Sequence, residues 1–227
     1  MEYQIIRAGN SRSFPADHPL VTGAAESGDI VLIVGAMAGT ALEDFADRER
    51  KLAILIELGT ECLGTWTGEA RGAEGSNVLG FARFRLGDAG PSDLVELVRQ
   101  PRTPEAPIAA ARRLFEDHGL KVAVCGDFAG RIVDRLVRPY YNSALRRLDE
   151  GLASADDLDT TLRLGLGYPE GPIALLERTG LAHHFDVTQA LFEACGEAAY
   201  APARRARVAK QRQRLPAPWR HGGSITT

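Results

Sequence analysis

Cysteine is scarce in this chain, and the three that occur, Cys62, Cys125 and Cys195, stand far apart, in odd number and without C-x-x-C spacing. That excludes a disulfide framework and a cysteine-built zinc site. Long apolar runs are missing too. The longest, Ile30 to Ala38, is strand-sized and falls short of the roughly 20 residues a membrane-spanning helix needs. The opening residues, MEYQIIRAGNSRS, hold none of the basic segment, apolar core and small-residue cleavage site of a secretory signal, so a cytoplasmic protein is expected. The five histidines form no metal-ligand pattern. His183 and His184 are neighbours on an expected helix and diverge, whereas helical ligands sit three or four residues apart. No metal is expected.

What the chain does have is the composition of a soluble globular protein, 44% hydrophobic and 25% charged over 227 residues, enough for one large domain or two modest ones. Its net charge of −3 hides an asymmetry. Seven basic side chains (Arg204, Arg205, Arg207, Lys210, Arg212, Arg214, Arg220) and no acidic one fall in the last 27 residues. Such a stretch either pairs with phosphates of nucleic acid or a nucleotide-bearing ligand, or is a solvated extension.

Ile30 to Ala36, IVLIVGA, reads as a buried parallel strand. Leu42 to Leu58 follows helical spacing with Leu42, Phe45, Ala46, Leu52, Leu55 and Ile56 on one face. Further strands are expected at Glu2 to Ala8, Cys62 to Trp66, Val78 to Phe84 and Lys121 to Cys125, with a helix near Pro104 to His118. This is the order of an α/β layer. From Arg131 onward only helices are expected: Arg131 to Asp149 bent at Pro139, a second capped by Ser154, a third opened by Pro172 and stopped at Gly180, and a fourth from Ala182 to Cys195. The boundaries expected are 1–127 for a Rossmann-like α/β domain, 128–200 for a helical domain and 201–227 for a basic extension.

The glycines after Ile30 to Val34 invite comparison with a dinucleotide-binding turn. That fingerprint needs glycine at its first, third and sixth positions, and starting from Gly35 this chain places Met37 and Thr40 at the latter two. The turn is not expected to hold a pyrophosphate.

The segment from Cys125 to Pro172, CGDFAGRIVDRLVRPYYNSALRRLDEGLASADDLDTTLRLGLGYPEGP, resembles the hinge and C-terminal helical domain of the 3-hydroxyacyl-CoA dehydrogenase family, whose members look like D-x-PGFIVNRLLxPYxNEA followed by DIDxAMxLGxGYPMGP. The resemblance extends to IVLIVGA, which is similar to the family's DLVIEAV. It implies a Rossmann-like domain followed by a helical domain that dimerises and closes over acyl-CoA. Members place far more chain before DLVIEAV than the 29 residues found here, so the unit that holds the adenosine and pyrophosphate half of NAD is expected to be missing.

The resemblance also implies where catalytic groups should stand. In the family a histidine paired with a glutamate moves the proton while NAD takes hydride, and a serine and an asparagine orient substrate. The family's GMHFFNP resembles Gly80 to Leu86, which puts Ala82 at the histidine; LVEVV resembles Leu94 to Val98, so Glu96 keeps the glutamate. ATNTSSL looks like Gly64 to Ala70, with Gly68 or Glu69 at the serine and Trp66 at the preceding asparagine. GFIVNRL resembles Gly130 to Leu136, with Asp134 at the asparagine. An alanine has no proton to move, and an ionised aspartate cannot donate a hydrogen bond.

The expected function is therefore a catalytically degenerate 3-hydroxyacyl-CoA dehydrogenase homologue that forms a homodimer and binds acyl-CoA or acts as a scaffold, with no cofactor. The alternative is an active NAD-dependent dehydrogenase of fatty-acid metabolism using replacement groups such as His118 or Glu69. A third reading, nucleic-acid binding by the basic tail, has only charge in its favour.

Overall fold

The computed structural model describes residues 2–215. Arg220 of the basic stretch, and the rest of 216–227, lie outside them. The chain divides into two compact units, residues 1–85 with 90–133 and residues 86–89 with 134–227.

The first unit is built on a six-stranded sheet in chain order: β1 (Tyr3–Arg7), β2 (Ile30–Val34), β3 (Ala53–Glu57), β4 (Val78–Arg83), β5 (Leu94–Arg99) and β6 (Lys121–Gly126). All neighbouring pairs are parallel except β4 with β5. Every residue of β2, β3 and β4 is buried, as strands covered on both faces require. The two-residue side-chain period divides the apolar residues between those faces. Ile30, Leu32, Leu55, Phe81, Val95 and Leu97 join Leu114 and Phe115 of α4 (Glu105–Asp117) on one side. Val31, Ile33, Ile54, Ile56, Val78 and Val98 pack with Ala38 and Leu42 of α2 (Ala38–Asp44) on the other.

Three local expectations are corrected. The helix expected over Leu42 to Leu58 stops at Asp44, and AILIE becomes the central strand β3. Its residues Leu55 and Ile56, expected on one helical face, point to opposite sides of the sheet. A strand buried on both faces shows no polar alternation, so its apolar run mimics a helix. The strand expected at Cys62 to Trp66 is instead a helical turn, α3 (Gly64–Thr67). The Asp127 carboxylate fixes it by accepting the Leu63 and Gly64 N–H groups at 2.6 and 2.7 Å. Leu94–Arg99, not anticipated as a strand, supplies β5.

The second unit is helical: α5 (Val133–Asp149), α6 (Ala155–Leu166), α7 (Pro172–Thr179), α8 (Leu181–Cys195) and α9 (Arg204–Gln213). The remaining short helix, α1 (Pro19–Thr22), belongs to the first unit. Ser154 caps α6 by accepting the Asp157 N–H, as the sequence predicts. The motif DLDTTLRLGLGYPEGP acquires a structural reason here. The two oxygens of Asp159 accept the Ile173 and Ala174 N–H groups at the start of α7, both at 2.8 Å, and a Cβ on Gly171 would lie 2.2 Å from the Asp159 side chain. Asp159 is thus a remote cap for α7. Its replacement by alanine is expected to lower stability by about 1–2 kcal/mol in urea unfolding, and Asp159→Asn, whose single carbonyl oxygen serves one of the two amides, by part of that.

The basic stretch is not a frayed extension over its described part. Ala203 and Ala206 are buried, Arg204 and Arg205 both pair with Asp149, Lys210 pairs with Asp186, and Arg207 lies over the Phe185 ring.

Candidate functional site

The antiparallel register of β4 and β5 sets Ala82 directly opposite Glu96. Both are buried, at 4% and 2% exposure, and both lie on the α2 side of the sheet with Val78 and Val98, since residues two apart share a face. The geometry therefore brings together the two positions that the resemblance pairs as histidine and glutamate. Alanine offers no group to Glu96, yet that carboxylate is not idle. Its Oε1 accepts the Ile132 and Val133 N–H groups, both at 2.8 Å, and its Oε2 lies 3.5 Å from Arg131 Nε. Arg131 is itself buried, holds a left-handed backbone (φ 54°) and donates from Nη2 to the Gly59 carbonyl at 2.8 Å. Glu96 is thus half of a buried ion pair and the acceptor for the amides that open the next helix. A guanidinium and two backbone amides engage this carboxylate.

Ligands of open parallel sheets bind beyond the carboxyl ends of the strands. In this chain that region, where β1, β2 and β3 end, is a cleft of about 150 Å³ lined by residues that include Asn10, Arg12, Gly35, Gly39, Glu57 and Glu61. Sites that enclose even drug-sized ligands run to roughly 300–1,000 Å³. In the turn after β2 the amides of residues 35–38 are all donated within the chain. The Gly35 N–H donates to Glu57 Oε2, Ala36 to the Asn10 carbonyl, Met37 to the Ala8 carbonyl and Ala38 to the Gly35 carbonyl. The Trp66 ring covers Gly39, where a Cβ would meet it at 2.1 Å. The turn after β1 has Gly9 as its one glycine, between Arg7 and Arg12, and runs through irregular chain to α1, too short a helix to present a phosphate with an N-terminal dipole. These residues do not fit the pyrophosphate of a dinucleotide.

Asp134 enters a separate, closed network in the second unit. It accepts from Arg138 Nε at 2.7 Å, with Arg138 only 1% exposed. Arg138 Nη1 lies 3.1 Å from His184 Nδ1, and His184 Nε2 lies 3.0 Å from Asn142 Oδ1. Asn142 then donates to Thr188 Oγ1, whose hydroxyl donates to the Tyr200 carbonyl, each at 2.7 Å. Because arginine has no acceptor, Nδ1 must be the bare nitrogen and Nε2 the protonated one. Burial, and then the neighbouring Arg138 charge, push the His184 pKa down to about 3. Asp134 therefore balances a buried cation.

Residues 130–218 match the family model described as 3-hydroxyacyl-CoA dehydrogenase, C-terminal domain. That part of the chain is similar to the C-terminal domain of the 3-hydroxyacyl-CoA dehydrogenase family. The chain is 34% identical over 110 residues to a 3-hydroxybutyryl-CoA dehydrogenase of Bradyrhizobium diazoefficiens, covering 48% of this chain and 38% of that relative. It is 40% identical over 88 residues to the mitochondrial hydroxyacyl-coenzyme A dehydrogenase of Sus scrofa, covering 39% and 28%. The matched stretches thus span well under half of those relatives. Among solved structures, the (S)-3-hydroxybutyryl-CoA dehydrogenase of Ralstonia eutropha superposes with a TM-score of 0.68 over 84% of this chain and 68% of that one. At 23% identity this establishes the shared fold.

Set against the order of the strands, the comparison of ATNTSSL with Gly64 to Ala70 loses its footing, because those residues form α3 and the loop after it. The sheet strand between β2 and β4 is Ala53–Glu57, so the segment that leaves the sheet there is Glu57 to Cys62. The proposed replacement groups fare no better. His118 sits at the end of α4, with Nδ1 2.7 Å from the Leu114 carbonyl and Nε2 3.1 Å from the Tyr3 hydroxyl, at the first residue of edge strand β1 and three strands from β4. Glu69 is exposed in the loop after α3. Sequence reasoning missed Glu57, Arg131 and Arg138. For the latter two a signal was present: a charged residue inside an otherwise apolar motif, which in a buried setting requires a partner of opposite charge.

Proposed function

We propose that this chain is a catalytically silent member of the 3-hydroxyacyl-CoA dehydrogenase family that acts as a dimeric acyl-CoA-binding or scaffolding protein and uses no NAD. The observation that carries the reading is Ala82 opposite a Glu96 already engaged by Arg131 and the Ile132 and Val133 amides. Proton transfer by a positioned imidazole contributes roughly 10²- to 10⁴-fold to a rate, and alanine supplies none of it. A small strand-end cleft, in which the amides of residues 35–38 are already donated within the chain, supports the absence of the hydride carrier.

Self-association is supported by the second unit. No residue of α6 is buried, and Leu136, Leu152, Leu164 and Leu166 are 61–81% exposed. Apolar side chains exposed to this degree favour burial against a partner. Light scattering after size exclusion is expected to give twice the chain mass, and Leu164→Glu with Leu166→Glu to give the monomer.

The activity test mixes the purified protein with NADH and acetoacetyl-CoA and follows cofactor absorbance. The expected rate is that of the buffer blank, while calorimetry with acetoacetyl-CoA alone shows saturable heat. Turnover above the blank would restore the reading as an NAD-dependent 3-hydroxyacyl-CoA dehydrogenase with unconventional groups.

A further inference from the structure

The strand-end cleft contains a charge arrangement that neither the family frame nor silent catalysis requires. Glu57, the last residue of β3, is 7% exposed, and both its oxygens are held by backbone amides: Oε1 accepts the Ser13 N–H and Oε2 the Gly35 N–H, each at 2.7 Å. Both oxygens act as acceptors, the pattern a carboxylate offers. The amides belong to the turns after β1 and β2, and both turns are held from elsewhere. Ser13 also accepts from Arg83, through Oγ to the Arg83 N–H and through its carbonyl to Arg83 Nη1. Gly35 has φ 116°, and a Cβ there would lie 2.5 Å from the Ala8 and Gly9 carbonyl oxygens. Two convergent N–H groups on fixed turns at the carboxyl ends of parallel strands form an oxyanion receptor, and the neighbouring amides of residues 36–38 donate elsewhere.

We propose that this cleft is an oxyanion site filled by the chain's own Glu57, a tethered stand-in for a bound phosphate, and that a free oxyanion enters only when the carboxylate is removed. Tethering gives the carboxylate a high effective concentration at the two amides, so a dissolved anion at millimolar levels does not displace it. The carboxylate ties the turns after β1 and β2 to β3, the role a nucleotide phosphate has where a sheet of this type closes around one. This inference concerns the cleft alone and stands whether or not the chain is catalytically silent.

The test uses the full chain and melting curves in sodium formate or inorganic phosphate against sodium chloride at matched ionic strength. The wild type is expected to gain nothing from formate or phosphate beyond chloride. Glu57→Ala is expected to melt roughly 5–10 °C lower through loss of two charge-assisted hydrogen bonds. It should then recover part of that loss saturably with formate or phosphate, as the Gly35 and Ser13 amide resonances shift. Equal melting of variant and wild type, no advantage over chloride in the variant, or phosphate-induced shifts of those two amides in the wild type would each overturn the proposal. Glu57→Gln, nearly isosteric, covers the case in which the alanine variant does not fold. Its single carbonyl oxygen serves one amide, so hydrogen exchange at Gly35 or Ser13 should quicken at least tenfold, and unchanged exchange at both defeats the idea.

Discussion

Glu96→Ala is expected to destabilise the first unit by about 3–5 kcal/mol, the usual cost of stranding one member of a buried ion pair. The Arg131 side chain is 5% exposed and would lose its carboxylate, while the Ile132 and Val133 amides would lose their acceptor. Glu96→Gln keeps an oxygen for the amides and loses only the charge, so its deficit should be smaller. Urea unfolding of the two variants measures the difference. If Glu96 were instead an unengaged remnant, both variants would stay within about 1 kcal/mol of wild type, as for a site outside any buried network. Ala82→His follows from the same geometry. Placing an imidazole at a position 4% exposed should cost about 1–3 kcal/mol through overpacking. It should not raise NADH oxidation above the blank, because the carboxylate that would orient it is engaged elsewhere.

The second large effect lies in the helical unit. Asp134→Ala should destabilise it by about 3–5 kcal/mol by leaving the guanidinium of Arg138 without its carboxylate. Asp134→Asn, which restores the residue typical of the family motif, should also destabilise, since an amide does not neutralise Arg138, and should bring back no activity. His184 adds a pH dependence with a definite sign. Its pKa is about 3 in the folded chain against an ordinary value near 6.5. Between those values the unfolded state binds the proton that the folded state refuses, so stability falls as pH falls. The slope contributed by this one group is at most about 1.4 kcal/mol per pH unit, and it disappears above about pH 6.5, where neither state is protonated. Unfolding free energies measured from pH 7 to pH 4 check this. His184→Gln should flatten that slope, and a slope unchanged by the substitution would show that the acid sensitivity has another origin.

Particular residues show how far the sequence could be read. Ser154, Pro172, Gly180 and the helices between them were legible because caps and stops are local chemistry: the residue that ends a helix acts on amides within a turn of itself. Ala53–Glu57 was not legible, because a strand covered on both faces and a buried helix present the same apolar run, and only pairing with β2 and β4 separates them. The motif around Asp159 was recognisable as a pattern, while its purpose, capping a helix that starts thirteen residues later, needed the α6 to α7 turn to bring the carboxylate to Ile173 and Ala174.

By itself the sequence determined the α/β-then-helical order, the family likeness and an alanine at position 82, since each is carried by residue type and short-range spacing. Tertiary structure alone decided what the remaining charged groups do. Glu96 was assigned to Arg131, Asp134 to Arg138 and Glu57 to the Ser13 and Gly35 amides because a buried charge is tolerable only beside a compensating partner. For Glu57 that partner was brought near by strand order, at 44 and 22 positions along the chain, distances over which no local pattern reaches.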